Sequence, residues 1–295
     1  MQDAINQFLD SEWLERQLSE NTLAAYRRDL SQFFVWLQNE KQSWRDLTRD
    51  RLLHFLAHLN QSNQSSRSQA RKLSAIRGFF RYALREKWID TDPTALVASP
   101  KLPRHIPQVL SEAEVERLVQ TIIGTDPLVI RDRTMMELLY ATGLRITELL
   151  TLTIAQVNVR QGVIRVTGKG SKERLVPMGE QAEQWFLRYL NEARKILIQT
   201  KDSDIVFLNP HTGRALTRQA FWYRVKYWAL RAEIQKPLSP HGLRHAFATH
   251  LVNHGADLRV VQLLLGHESL STTQIYTAVA QARLKNLHEQ HHPRG

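Results

Sequence analysis

The stretch "SPHGLRHAFATH", residues 239–250, predicts a helix with a basic first turn. Ser239 is a favourable N-cap, and Pro240 suits the first helical position. Every fourth residue is apolar, which predicts a buried stripe of Leu243, Phe247 and Leu251. His241 and Arg244 then lie one turn apart at a helix end whose dipole disfavours cations and whose free backbone N–H groups favour an anion. We therefore expect a negatively charged group to bind at this helix start.

The composition excludes several classes of protein. The chain has 295 residues, of which 42% are hydrophobic, enough for a packed core in one or two domains. It has no cysteine, which excludes a disulfide scaffold, a thiol nucleophile and thiolate metal sites. The N-terminus has acidic residues from position 3, and the apolar runs are far shorter than the roughly 20 residues needed to cross a bilayer. We expect a cytoplasmic protein without a signal peptide.

The charge of the chain is strongly basic and uneven. The net charge is +11 and the sequence pI is about 10.1. Residues 1–100 hold 14 basic and 12 acidic residues, so most of the excess lies in the remainder. An excess of this size favours a polyanion such as nucleic acid as partner. The alternative is a surface charge that only maintains solubility.

The first ninety residues predict helices only. Apolar residues recur at helical spacing in four segments, with polar capping residues before the second and third. The segments are "DAINQFLDSEWLERQL", "SENTLAAYRRDLSQFFVWLQNEK", "TRDRLLHFLAHL" and "SSRSQARKLSAIRGFFRYALREKW".

The fourth segment carries a basic stripe. Its apolar positions form one face, and its arginines gather largely on another. The basic residues are Arg67, Arg71, Lys72, Arg77, Arg81, Arg85 and Lys87, against the single acid Glu86. Because no acidic residues lie one helical turn away, the positive charges of the stripe repel one another. This repulsion favours contact with a phosphate backbone over a face that is only solvated.

A proline-rich stretch separates this region from the rest. Residues 90–108 hold four of the ten prolines, and proline favours extended chain. "SEAE" at 111–114 is a capping box that opens the next helix. We expect a helical domain over 1–88, a linker over 89–107 and a second domain over 108–295.

The second domain is predicted to be mixed. A helix over about 128–141 ends at Gly143, and another begins near Arg145. "VIRVTGKGSKERLVPM" reads as a β-hairpin around the turn "GKGS", and several helices follow. The expected fold is mainly α with a small antiparallel sheet (α+β), with an all-helical N-terminal domain, rather than a doubly wound sheet.

Four stretches of this domain carry residues suited to chemistry. They are "ATGLRITELL" with Arg145 and Glu148, "TGKGSKER" with Lys169, Lys172 and Arg174, "SPHGLRH" with His241 and Arg244, and "LLLGHESLSTTQIYT" with His267 and Tyr276. Each has an ordinary explanation by itself. Arg145 can pair with Glu148, Lys169 can be an exposed turn lysine, and Tyr276 can be a core residue.

Together these blocks resemble the tyrosine recombinase (phage integrase) family, and within it the bacterial Xer group. The resemblance covers the whole chain and implies a fold in which the helical and catalytic domains clamp a DNA duplex. It implies that the DNA contacts include Arg67, Arg71, Lys72, Arg77, Arg81, Lys172 and Arg174. The catalytic residues it implies are Arg145, Lys169, His241, Arg244, His267 and Tyr276.

The resemblance also implies a reaction. Tyr276 attacks a DNA phosphodiester and forms a 3′-phosphotyrosyl intermediate, while Arg145 and Arg244 hold the phosphoryl oxygens. Lys169 protonates the leaving 5′-oxygen. His241 bonds the phosphate or takes the tyrosine proton, and His267 adds a further bond. Glu148 matches the acidic residue that orients an arginine or histidine of the site.

Further implications concern cofactors and partners. No metal or nucleotide is needed, because cationic side chains replace the metal and the ester conserves the bond energy. The partners are a double-stranded DNA recombination site, a XerC-like recombinase in a heterotetramer and an FtsK-type DNA translocase, in the resolution of chromosome dimers at cell division. Two alternatives are a type IB-like topoisomerase and a non-catalytic DNA-binding regulator.

Two histidine patterns resemble metal sites. "HEQHH" at 288–292 matches the H-E-x-x-H zinc pattern, but its place three residues from the chain end favours a loose terminal helix or tail. His250 and His254 lie four apart on a helix with no carboxylate or cysteine nearby, so we expect surface or core packing there.

Overall fold

The computed structural model describes residues 1–16, 18–100, 108–167, 173–198, 202–266 and 288–294. The chain divides into two compact units, Met1–Ile106 and Pro107–Gly295. No helix among the described residues is both long enough and apolar enough to span a membrane.

The first unit is all-helical over its described residues, as the sequence predicts. Its helices are α1 (Gln2–Arg16), α2 (Glu20–Asn39), α3 (Arg49–Gln61) and α4 (Ser66–Arg85). The predicted caps Ser19 and Thr48 accept bonds from the first turns of α2 and α3. The core is aromatic, with edge-to-face ring pairs among buried residues such as Phe33, Phe55 and Phe79.

Part of the proline-rich stretch belongs to this unit. Ile89 and Val97 are buried in the aromatic core, and Thr94 is buried and bonded to Asp92. Packing against this core therefore continues past residue 88, where we expect the linker to begin, because Ile89 and Val97 are apolar and enter the core. Residues 101–107 of the predicted linker lie outside the described residues.

The described residues of the second unit form helices and one small sheet. Its helices are α5 (Glu112–Thr121), α6 (Pro127–Thr142), α7 (Ile146–Leu150), α8 (Glu180–Arg188), α9 (Lys195–Ile198), α10 (Arg218–Arg231), α11 (Pro240–Asn253) and α12 (Leu258–Leu265). Its strands are β1 (Val157–Asn158), β2 (Val163–Thr167) and β3 (Glu173–Pro177), antiparallel in the order β1-β2-β3. The predicted hairpin is present as β2 and β3, while β1 is an addition too short to leave a sequence pattern. The mainly helical fold class with a small antiparallel sheet is confirmed.

Helix α6 lies at the centre of the second unit. Every residue from Ile130 to Thr142 is buried, including Asp132 and Glu137. Asp132 accepts bonds from Arg131 and from the indole Nε1 of Trp228 at 2.9 Å, so its charge is satisfied inside the core. A helix that is buried on all faces must be surrounded by other elements, and α5, α8 and α11 pack against it.

The terminal histidines are packed rather than loose. His288 Nε2 bonds the Ala141 carbonyl at 2.6 Å, and the rings of His288 and His292 stack beside Phe247. Burial lowers the pKa of both histidines, so both are neutral at pH 7. The tail expected from the sequence is wrong here, because these residues fill a gap beside α6 and α11 that no local pattern shows. Among the described residues no cluster of three or more potential ligands could hold a metal ion.

His250 and His254 also have packing roles. His250 is buried between the Tyr140 hydroxyl at 2.8 Å and the Leu110 carbonyl at 2.9 Å. His254 Nε2 lies 2.8 Å from a carboxylate oxygen of Glu112. Both side chains therefore join α11 to the start of the second unit, as the packing alternative predicts.

Replacing Gly143 by alanine should destabilise the second unit by about 1–3 kcal/mol. Gly143 ends α6 in the left-handed region at φ +58°, and an added Cβ would overlap the ring of Phe247 and lie 3.1 Å from Leu265 Cδ2. Gly242→Ala is the matched control, because a Cβ there meets only ordinary contacts at 3.6 Å and beyond. Urea unfolding measures both variants. Equal stability losses in the two would contradict the assignment.

Candidate active site

Three arginines from three different elements bind the carboxyl end of α12. Each donates to one of three successive backbone carbonyls: Arg174 Nε to Leu264 O (2.9 Å), Arg244 Nη2 to Leu265 O (2.7 Å) and Arg145 Nη2 to Gly266 O (2.9 Å). The last carbonyls of a helix lack intrahelical partners and carry partial negative charge, so cations stabilise this end. The cluster therefore fixes the backbone immediately before residue 267.

Glu148 joins two of these arginines. Arg174 donates to both of its carboxylate oxygens at 3.0 and 2.7 Å, and the Arg145 side chain donates to one at 2.9 Å. The Arg145 backbone N–H donates to the other oxygen at 2.7 Å. Burial by itself raises the pKa of Glu148, but the bonds and charge of Arg174 and the bonds from Arg145 outweigh it and hold the pKa below its ordinary value. Glu148 is thus ionised at neutral pH.

Arg244 is the most desolvated cation of the cluster after Arg174. It is only 8% exposed and also donates to the Gly143 carbonyl. Burial, together with the charges of Arg145 and Arg174, lowers the pKa of Arg244 to about 10, so it stays protonated at neutral pH. Among the described residues, Glu148 pairs with Arg145 and Arg174, while Arg244 bonds only backbone carbonyls. The described cluster therefore keeps an excess of positive charge that favours an anion.

The local sequence explains how each arginine reaches the cluster. Arg145 is the N-cap residue of α7, two residues after the Gly143 turn. Arg174 lies on β3. Arg244 lies on the first turns of α11, which Ser239 caps as predicted and whose apolar stripe is buried. The Arg145 side chain is 42% exposed, so the remaining donors of its fork reach solvent.

The other predicted catalytic residues are described only in part. His241 lies exposed on the first turn of α11, and no hydrogen bond or ion pair joins its side chain to a residue in the described ranges. Lys169, Lys172, His267 and Tyr276 lie outside the described residues.

Comparison with known proteins assigns the chain to a family. The phage integrase family model matches residues 108–283, and the model of the phage integrase N-terminal SAM-like domain matches residues 5–87. The chain belongs to the phage integrase family. Among curated relatives, tyrosine recombinase XerD of Pseudomonas putida is 57% identical and that of Pseudomonas aeruginosa 55% identical, each over 99% of this chain and 97% of the relative.

Solved structures agree with this assignment. XerH site-specific recombinase bound to palindromic difH substrate in a post-cleavage complex is similar with a TM-score of 0.72 and 25% identity, over 92% of this chain and 80% of that chain. A lambda integrase dimer bound to a core site shares the fold, with a TM-score of 0.71 at 18% identity over 90% and 94% of the two chains. This phage integrase is a site-specific tyrosine recombinase of the XerD type, and the topoisomerase and regulator alternatives are not favoured.

Within this phage integrase Arg174 is placed differently from the sequence expectation. As a predicted DNA contact it should be exposed, yet it is only 4% exposed and bound to Glu148. Side chains alternate between the faces of a strand, so Arg174 shares the buried face of β3 with Val176. The alternation along β3 is the sequence signal that could have predicted a buried Arg174, and the structure places this side chain inside the arginine cluster.

The structure also differs from the prediction at one residue of the basic stripe on α4. Lys72 is 4% exposed, bonds Gln32 and lies 3.9 Å from Asp29, so it is not available to DNA as predicted. Arg71 pairs with the same Asp29 at 2.5 Å, and Arg85 pairs with Glu15 at 2.8 Å. The compensating acids come from α1 and α2, which is why spacing along α4 alone does not show them.

The remaining stripe residues differ in exposure. Arg67 and Arg81 are exposed. Arg77 is partly buried and donates to Ser99 Oγ at 2.8 Å and to the Val97 carbonyl. The exposed surface available to a phosphate backbone is therefore narrower than the seven basic residues suggest.

Proposed function

We propose that Arg145 and Arg244 of the arginine cluster bind the scissile phosphate of a DNA recombination site and that Tyr276 is the nucleophile. One observation carries the proposal: Arg145, Arg174 and Arg244 meet at the end of α12, and the one carboxylate paired with this cluster among the described residues is that of Glu148. Three fixed cations with one counter-charge favour a bound anion, and a guanidinium fork matches phosphate oxygens. This is the negative group that the basic start of α11 predicts.

The reaction follows from the proposed roles. The Tyr276 oxygen attacks phosphorus and loses its proton to His241, while the bond from phosphorus to the 5′-oxygen breaks and Lys169 protonates that leaving oxygen. Arg145, Arg244 and His267 donate to the phosphoryl oxygens, whose negative charge increases in the transition state. The product is a 3′-phosphotyrosyl ester and a free 5′-hydroxyl.

Strand joining is the reverse of the same step. A 5′-hydroxyl from the other duplex attacks the phosphotyrosyl ester and releases Tyr276, so the bond energy is conserved. We therefore propose that neither a metal ion nor a nucleotide takes part. Glu148 keeps Arg145 oriented through its two hydrogen bonds to that residue.

The resemblance to XerD supports a proposal about the cellular reaction. The chain would act in the cytoplasm, in a heterotetramer with a XerC-like recombinase on double-stranded DNA. It would convert chromosome dimers to monomers at cell division and respond to an FtsK-type DNA translocase. The proposed DNA-backbone contacts are Arg67 and Arg81 on α4, together with Lys172, which lies outside the described residues.

Trapping on nicked DNA tests the proposed function. The substrate is a genomic duplex selected by its binding to the protein, with a nick placed close to the candidate cut position. Cleavage then releases the short fragment between the cut and the nick, and the strand cannot be rejoined. We expect a protein–DNA adduct on a denaturing gel, attached to one defined 3′-end. A shift on a native gel without any adduct would favour a regulator, and relaxation of plasmid that lacks the site would favour a topoisomerase.

A further inference from the structure

We infer that Arg174 is a positioning residue for strand cleavage, acting through Glu148 on Arg145 and through Leu264 on the backbone before His267. The inference rests on the proposed function, because it concerns the same phosphate site. It replaces the role of DNA contact that the sequence suggests for Arg174.

All three nitrogens of the Arg174 guanidinium donate hydrogen bonds inside the protein. Nε donates to the Leu264 carbonyl at 2.9 Å, and Nη1 and Nη2 donate to the two Glu148 oxygens at 3.0 and 2.7 Å. The side chain is 5% exposed. A bidentate pair with a further bond fixes the guanidinium plane, so this arginine orients its neighbours rather than a ligand.

A second contact ties Arg174 to the end of α12. Gly266 has φ +70°, and a Cβ there would lie 3.1 to 3.3 Å from Nη1, Cζ and Cδ of Arg174. The Arg174 side chain thus packs closely against the C-cap of α12 as well as bonding the Leu264 carbonyl. Both contacts act on the residues that immediately precede His267.

The position of Arg174 on β3 makes it a link between three elements. Arg174 lies five residues after Lys169 in the sequence. It reaches α7 through Glu148, whose other bonds go to the backbone and side chain of Arg145. A shift of about 1 Å at such a point can cost a reaction roughly 100-fold, since the reacting groups lose their alignment.

Loss of Arg174 should also change how Glu148 titrates. Among the described residues, the charged groups that act on Glu148 are Arg145 at the N-cap of its helix, Arg174 on β3 and Arg244 on α11. Burial favours the protonated acid, and Arg174 is the main group opposing it. Without Arg174 the pKa of Glu148 rises, so Glu148 becomes protonated and releases Arg145 at a higher pH than in the wild type.

The test measures single-turnover cleavage of nicked substrate at saturating protein across a pH series. We expect Arg174→Gln to cleave DNA about 10- to 100-fold more slowly than the wild type, with unchanged DNA affinity. Its cleavage rate should also fall as the pH is lowered, and this fall should begin at a higher pH than in the wild type. Arg174→Lys should recover part of the rate. In the double variant with Glu148→Gln the added pH dependence should disappear, and the two losses should not add.

Arg194→Gln is the matched control for a lost internal arginine. Arg194 Nη2 donates to the carbonyls of Ser203 at 2.6 Å and Ile205 at 2.9 Å, away from the cluster. We expect it to lower the free energy of unfolding while keeping the wild-type rate and pH profile per folded molecule.

Two outcomes would overturn the inference while the wild type cleaves normally. One is a wild-type rate and pH profile in Arg174→Gln. The other is a loss of DNA affinity with a reduced salt dependence, which would mark Arg174 as a phosphate contact. If the wild type itself forms no adduct, the proposed function fails, and the inference fails with it.

Discussion

Tyr276→Phe should abolish covalent attachment to DNA and leave DNA binding intact. The substitution removes one oxygen, and that oxygen is the proposed nucleophile, so no other group can form the ester. In another enzyme class, removal of the nucleophile lowers the rate by a factor on the order of 10⁶. A loss of that size would leave too little adduct to detect on a gel. Affinity depends on the basic surface, which the substitution does not change. Native and denaturing gels with nicked substrate measure the two properties side by side.

Tyr223→Phe is the control for this prediction. Tyr223 lies on α10 with 57% of its surface exposed, and its loss of a hydroxyl should change neither binding nor adduct formation. An adduct that survives in Tyr276→Phe would show that another residue carries the DNA strand. The assignment of Tyr276 would then be wrong.

Arg145→Ala has the second largest expected effect, a loss of about 10²- to 10³-fold in the cleavage rate. Arg145 is the cluster member with the most exposed side chain, so its free donors can reach a phosphate without rearrangement. Its removal also takes this donor from the Gly266 carbonyl and one hydrogen bond from a Glu148 oxygen that Arg174 still bonds. Arg145→Lys should recover little of the rate, because an ammonium group cannot bind two oxygens as a planar fork does. Single-turnover cleavage at saturating protein measures the effect.

Arg160→Ala is the control that separates the loss of one positive charge from the loss of the Arg145 guanidinium. Arg160 is an exposed arginine of the same unit, and it lies outside the cluster. Its substitution should leave the single-turnover rate at its wild-type value. Equal rates in Arg145→Ala and Arg160→Ala would mean that the cluster does not bind the reacting phosphate.

The sequence by itself determined the local structure of this protein. Ser111 and Glu114 form the predicted capping box, and Ser239 caps α11. Gly143 ends α6 in a left-handed conformation, and the predicted hairpin pairs β2 with β3. These features depend on residues a few positions apart, because a cap or a turn is completed by hydrogen bonds within its own segment. The ordered set of motifs from Arg145 to Tyr276 likewise indicated the family without any structure.

Only the tertiary structure decided which charges are buried and what they bind. Lys72 and Arg174 look like surface cations in the sequence, yet Asp29 and Glu148 neutralise them inside the protein. The carbonyls at the end of α12 are bound by arginines 21 to 121 positions away along the chain. The terminal histidines enter a core whose walls are α6 and α11. Burial and ion pairing depend on which distant elements meet, and a pattern of spacing along one segment does not contain that information.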